Sequence, residues 1–190
     1  MAQQIMTKEF SICFIADGLN TKKINNLRSK LPESPYRDDA PHVTLLRGIT
    51  TSSNIGSNAE LVKKVGNLIK LHTALPLQLQ VGRIDNISNQ FYSASGVVLL
   101  NPSNALTRLR QKTIRQLTDN GYKIENQEVS EYYPHMTIRL GVPLRGAAMK
   151  HARENFPMGV AVSFDKWLLL RLHKDGKQRT VQELSPEPRV

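Results

Sequence analysis

The octets PHVTLLRG (41–48) and PHMTIRLG (134–141) are two nearly identical words in one chain, 93 residues apart. Each reads Pro-His-x-Thr and then apolar residues, with an arginine and a glycine near its end. The β-branched and apolar content predicts a strand over 42–49 in the first case and over 135–142 in the second. Side chains two apart on a strand project to one face, so His42 lies beside Thr44 and His135 beside Thr137. The arginines differ in parity. Arg139, four residues after His135, shares its face, whereas Arg47, five after His42, falls on the other face unless the strand bulges.

Working outward, FSICFIA (10–16) reads as a buried strand and LNTKKINNLRSKL (19–31) as an amphipathic helix that Asn20 or Thr21 can cap and Pro32 stops. PESPYRDDAP (32–41), with its three prolines, is an ordered polar loop that delivers the chain into the first octet. A helix follows at about 58–72, then a hairpin of LPLQLQVGRI (75–84) and FYSASGVVLL (91–100). The second half begins with a helix at 103–119 closed by Asn120-Gly121, and leads through Tyr132, Tyr133 and Pro134 into the second octet. A helix at about 145–155, a hairpin of MGVAVSF (158–164) and KWLLLRLHK (166–174), and a last strand RTVQEL (179–184) complete the reading. Both halves therefore run helix, His-x-Thr strand, helix, hairpin. Hairpins after helices indicate antiparallel sheets with helices packed on one face, so the class is α+β. The repeated order points to two similar lobes related by a pseudo-twofold, folded as one domain over 1–190.

Composition restricts the function classes. No apolar run approaches the ~20 residues that cross a bilayer, and the start, MAQQIMTKEF, lacks the basic region and apolar stretch of a secretory signal. A cytoplasmic location, a monomeric state, no membrane association and no obligate protein partner are expected. Cys13 is the only cysteine, which excludes an internal disulfide and a thiolate zinc cluster, and its strand context makes it a core thiol. With 26 Lys and Arg against 16 Asp and Glu, the net charge of +10 favours a polyanionic partner, nucleic acid or nucleotide. No His-Asp-Glu cluster has the spacing of metal ligands, so no metal and no cofactor are expected.

If the two lobes bring the motif faces together, one cleft holds two imidazoles and two hydroxyls. That set suits phosphodiester chemistry without a metal. The reference pKa of histidine, about 6.5, lets one ring accept a proton while the other donates one near neutral pH. Thr44 and Thr137 can donate to non-bridging phosphate oxygens, with β-branching limiting their rotation. Arg139 is the better phosphate ligand and Arg47 the weaker candidate. Tyr132, Tyr133 and Tyr36 are placed to stack on a base at the mouth of the cleft, against a packing role for each. His72, His151 and His173 lack the motif context and are assigned to structure or surface, and Trp167 to the core or a sheet face.

In these motifs the chain resembles the 2H phosphoesterase superfamily, and within it the RNA 2′,3′-cyclic phosphodiesterase group also called 2′-5′ RNA ligases. The resemblance covers the element order of essentially the whole chain, but only the two octets are specific. It implies a bilobal fold with a cleft between two antiparallel sheets, helices outside, no required metal, and hydrolysis of a 2′,3′-cyclic phosphate to a 2′-phosphate, with 2′-5′ ligation as a side activity. Carried over, His42 and Thr44 form the first motif and His135 and Thr137 the second. The first-motif histidine is then the proton donor to the leaving 3′ oxygen, and the second is the base that activates water. Two other readings stand beside this one. The same chemistry serves a small nucleotide such as 2′-5′ oligoadenylate, a cyclic oligonucleotide or ADP-ribose 1″,2″-cyclic phosphate. A non-catalytic RNA-binding module would keep the basic surface, though it has no need of two His-x-Thr pairs.

Overall fold

The computed structural model describes residues 8–31, 40–51, 58–72, 75–88, 94–124, 132–172 and 178–184. Its elements run β1 (Lys8–Ala16), α1 (Gly18–Ser29), β2 (His42–Thr51), α2 (Asn58–His72), β3 (Leu77–Ile87), β4 (Ser95–Asn101), α3 (Asn104–Asp119), β5 (Lys123–Ile124), β6 (His135–Arg139), α4 (Gly146–Asn155), β7 (Ala161–Leu172) and β8 (Gln178–Leu184). The α+β class and the two motif strands are as the sequence indicates. Helix α1 starts earlier than expected, because Asp17 rather than Asn20 or Thr21 caps it: its carboxylate accepts from the Asn20 backbone N–H at 2.8 Å. Ser103 caps α3, and Gly121, at φ +79°, lets the chain leave that helix where expected.

All strand pairs are antiparallel, in the order β5-β2-β1-β7-β3-β4-β6, with β8 also on β7. The expected hairpin of 158–164 with 166–174 does not form. Both stretches belong to the single strand β7, whose residues 161–164 pair with β3 and whose residues from Trp167 onward pair with β8. The physical reason lies at Asp165, which stands alone between the two runs with no glycine, asparagine or proline beside it to reverse the chain. Its position is absorbed by a register shift opposite Ile15 and Ala16, and the real turn comes earlier, at Pro157–Val160, where Gly159 takes φ +83°. The two expected sheets are therefore two arms of one hydrogen-bonded path joined through β7. One arm carries β1 and β2, the other β3, β4 and β6. The path curls until β2 and β6, far apart in the strand order, touch.

The core fills the space between the outer face of this path and the helices. Leu106, Leu109, Thr113 and Leu117 form the buried stripe of α3 at helical spacing, and the Thr113 hydroxyl is satisfied by the Leu109 carbonyl at 2.8 Å. Strand β1 is buried on both faces. Phe10, Ile12 and Phe14 enter the core, while Ser11, Cys13 and Ile15 line the other side. Phe14 lies in the centre of its arm, with Val43 and Trp167 as cross-strand partners, both in the same core. Phe14→Ala is expected to cost about 3–5 kcal/mol. Chemical denaturation should show this as a lower midpoint with an unchanged slope.

Candidate active site

The site is built from the side of the sheet opposite the core. On β6 the alternation is complete: Met136 and Ile138 are buried in the core, while His135, Thr137 and Arg139 are half-buried on the other face. On β2, Val43 and Leu45 enter the core while His42 and Thr44 turn away from it. Beyond Thr44 the pairing with β1 slips twice, first between Thr44 and Leu46 and again between Leu46 and Ile49. Leu45 and Leu46 are consequently both buried and Arg47 is exposed. The bulge resets the parity, so Arg47 emerges on the side of His42 and Thr44 and not on the opposite face that unbroken alternation predicts. Gly48 permits this with φ +72°, and Gly141, at the equivalent place in the second octet, has φ +73°. The glycines of the two octets thus serve the same left-handed turn.

Each imidazole is held in the same manner. His42 Nδ1 donates to the Ala40 carbonyl at 2.8 Å, and His135 Nδ1 donates to the Tyr133 carbonyl at 3.0 Å, in each case two residues back across a proline. A carbonyl can only accept, so Nδ1 carries the hydrogen in both rings and Nε2 is the nitrogen that gains and loses a proton. Burial pushes the His135 pKa below its ordinary 6.5, with the bond to the Tyr133 carbonyl opposing it. The Thr44 hydroxyl lies 3.7 Å from the Cys13 thiol, its direct cross-strand neighbour. Cys13 is fully buried, but on the motif side of β1 and not in the main core.

Two side chains cross between the arms. The Tyr132 hydroxyl donates to the Thr44 carbonyl at 2.8 Å, and Arg28, from α1, donates through Nη2 to the Thr137 carbonyl at 2.8 Å. Both carbonyls point to strand edges that carry no neighbouring strand at that level among the described residues. Tyr132 is therefore a tie between the arms and not a platform at the mouth. Its ring lies under the Arg110 guanidinium, 5.0 Å from the ring centroid, and burial raises its phenol well above the usual tyrosine range, so it remains a donor. Tyr133 is 57% exposed beside His135. Tyr36 lies outside the described residues. Arg139 has a buried Nε without a protein acceptor among the described residues.

Arg28 and Arg110 escape notice in the sequence because an arginine in an amphipathic helix has no mark that separates a solvated one from one reaching across the fold. His151 lies between α1 and α4, 3.0 Å from Lys30 Nζ and 3.5 Å from Glu154. The side chains of His72 and His173 fall outside the described residues, and Trp167 is in the core. Among the described residues no group of three or more His, Cys, Asp or Glu side chains converges as a metal site, and no helix is long and apolar enough to cross a membrane.

A cleft face with two strand-borne His-x-Thr pairs defines the 2H class of phosphoesterase architecture. The model of the 2′-5′ RNA ligase superfamily matches residues 17–176, and the chain belongs to that superfamily. Its fold is similar to that of LigT from E. coli complexed with 3′-AMP, with a TM-score of 0.59 at 16% identity over 95% of this chain and 98% of the other. A crystal structure described as a phosphoesterase gives 0.55 at 15% identity over 95% and 98%, and TT0787 of Thermus thermophilus gives 0.56 at 14% identity over 93% and 97%. None of the curated proteins matches the chain in sequence.

Tyr132→Phe deletes one hydroxyl, keeps the ring under Arg110 and leaves the Thr44 carbonyl without its donor. We expect a loss of about 1–3 kcal/mol in unfolding free energy. Tyr132→Leu, which also removes the ring from Arg110, should melt lower still when the two are compared calorimetrically.

Proposed function

We propose that the chain is a metal-independent phosphodiesterase that hydrolyses a 2′,3′-cyclic phosphate at the end of an RNA, or on a nucleotide, to a 2′-phosphate. The observation that carries this reading is the pair of His-x-Thr faces on touching strands, each histidine with Nδ1 tied to a carbonyl and Nε2 left as the proton-transfer atom. LigT, similar in fold, has been solved with 3′-AMP, a ribonucleotide bearing a phosphate on the ring that such a reaction would open.

The difference between the two rings assigns their roles. His135, its pKa lowered by burial, is neutral near pH 7 and acts as the base that takes a proton from the attacking water. The water oxygen bonds to phosphorus as the bond from phosphorus to O3′ breaks, and His42 in its charged form delivers a proton to that leaving oxygen. Thr44 and Thr137 donate to the non-bridging oxygens, whose negative charge must be held throughout the step. Arg139 and Arg47 offer guanidinium forks to the phosphate or its neighbour. The exposed ring of Tyr133 stacks on the terminal base.

The test is turnover of a 2′,3′-cyclic-phosphate-ended oligonucleotide and of cyclic mononucleotides in EDTA. Wild type should be active, and His42→Ala and His135→Ala should each lose about 10²–10⁴-fold in kcat. Absence of wild-type turnover on both substrate types would sink the proposal, and activity abolished by EDTA would point to a metal enzyme. The pH profile carries its own prediction. A base must be neutral to act, and a depressed pKa keeps it neutral to lower pH, so the acid limb of kcat/KM should fall below pH 6.5. An acid limb above 6.5 would contradict the assignment of His135 as base.

A further inference from the structure

Counting across the sheet from either histidine reaches a cation at the same place. In the first arm the cross-strand partners run His42, Ile15, Lys166. In the second they run His135, Leu99, Arg83. Directly paired residues project to one face of a sheet, so each row shares a face. Burial identifies that face. Ile15 and Leu99 stand outside the main core while their chain neighbours Phe14, Ala16, Val98 and Leu100 are inside it. Likewise Trp167 and Ile84 enter the core, whereas Lys166 is half-buried and Arg83 exposed. Each cation therefore stands on the histidine side of the sheet with one aliphatic residue between, two strand spacings or about 10 Å from its histidine measured between backbones.

The row recurs in both arms, on different strands, with the same sequence of histidine, aliphatic residue and cation. Arg83 is moreover aimed. Its Nε donates to the Asp85 carboxylate at 2.8 Å, which orients the guanidinium and leaves the terminal nitrogens as donors. The Asn86 backbone N–H, and next the bond from Arg83, hold the Asp85 carboxyl below its usual range, so the orienting charge persists through neutral pH. Neither cation lies within the His-x-Thr words, and neither is needed for the bond-breaking step described above.

We propose that Lys166 and Arg83 form phosphate subsites that hold non-reacting phosphates of the substrate strand, so that the cleft prefers an oligonucleotide end over a lone cyclic nucleotide. This rests on the phosphodiesterase reading and adds the substrate class to it. A cyclic mononucleotide has one phosphate, which the motif residues occupy, and brings nothing to either cation. A strand continuing from the reacting end supplies further phosphates at a distance only a second cation can meet.

The experiment compares wild type with the double variant Lys166→Gln/Arg83→Gln and with the charge-matched control Lys150→Gln/Arg153→Gln, which alters exposed residues of α4. Two substrates are used, a cyclic-phosphate-ended oligonucleotide and a cyclic mononucleotide. The expected result is a fall of about 10- to 100-fold in kcat/KM for the oligonucleotide in the double variant alone, with mononucleotide turnover unchanged. Equal losses on both substrates, or an equal loss in the control, would overturn the proposal. Binding of a 2′-phosphate-ended oligonucleotide by fluorescence anisotropy is measured in parallel across a salt series. The slope of log affinity against log salt should become shallower by about 1 in the double variant. Because this readout needs no turnover, an inactive wild type would defeat the phosphodiesterase reading while the slope still decides the subsites, and an unchanged slope would defeat the subsites alone.

Discussion

The structure depends on how two sheet edges meet without pairing. Strands β2 and β6 come together at the end of a curling path, and each presents backbone carbonyls along an edge where no strand follows at that level among the described residues. An open edge of this kind is satisfied most simply by another strand, but direct pairing of β2 with β6 would close the space that the motif side chains need. Side chains take that place here. Tyr132 donates to the Thr44 carbonyl and Arg28 to the Thr137 carbonyl, both at 2.8 Å and both from the opposite arm. The arms are fastened at the two motif threonines while the face between them stays open.

That arrangement also differentiates two otherwise equivalent histidines. Both donate from Nδ1 to a carbonyl two residues back, which selects one tautomer for each. A neutral ring and a charged ring are needed together for acid and base chemistry, and symmetry alone would not provide them. Burial lowers the pKa of His135 and favours its neutral form. The division of labour between two identical side chains therefore comes from how deeply each is packed.

Much of this is legible in the residues. The two octets predict strands, and β6 alternates as period-two reasoning requires, with Arg139 on the face of His135 and Thr137. The helices lie close to their expected spans because apolar spacing, Ser103 and Asn120-Gly121 are local signals. The misreadings share a cause. Parity puts Arg47 on the far face, but two register slips in β2, invisible in composition, return it to the motif side. MGVAVSF and KWLLLRLHK look like a hairpin because each is a strand-sized apolar run, yet they merge into one strand whose two ends serve different neighbours. Tyr132 and Tyr133 are adjacent and chemically alike, and only the fold turns one inward to a carbonyl and leaves the other in solvent.

By itself the sequence determined what is encoded over a few residues: which segments are strands and helices, that a histidine and a threonine share a face in each octet, and that glycine stands at positions 48 and 141 where the chain turns left-handed. Those properties follow from backbone sterics and periodicity, which act locally. Tertiary structure alone decided which strand lies beside which, and hence that β7 joins the arms, that Arg28 and Tyr132 fasten them, and that Lys166 and Arg83 fall in register with the two histidines. Register between distant strands is set by packing and hydrogen bonding summed over the whole sheet. No short stretch of the chain carries that sum.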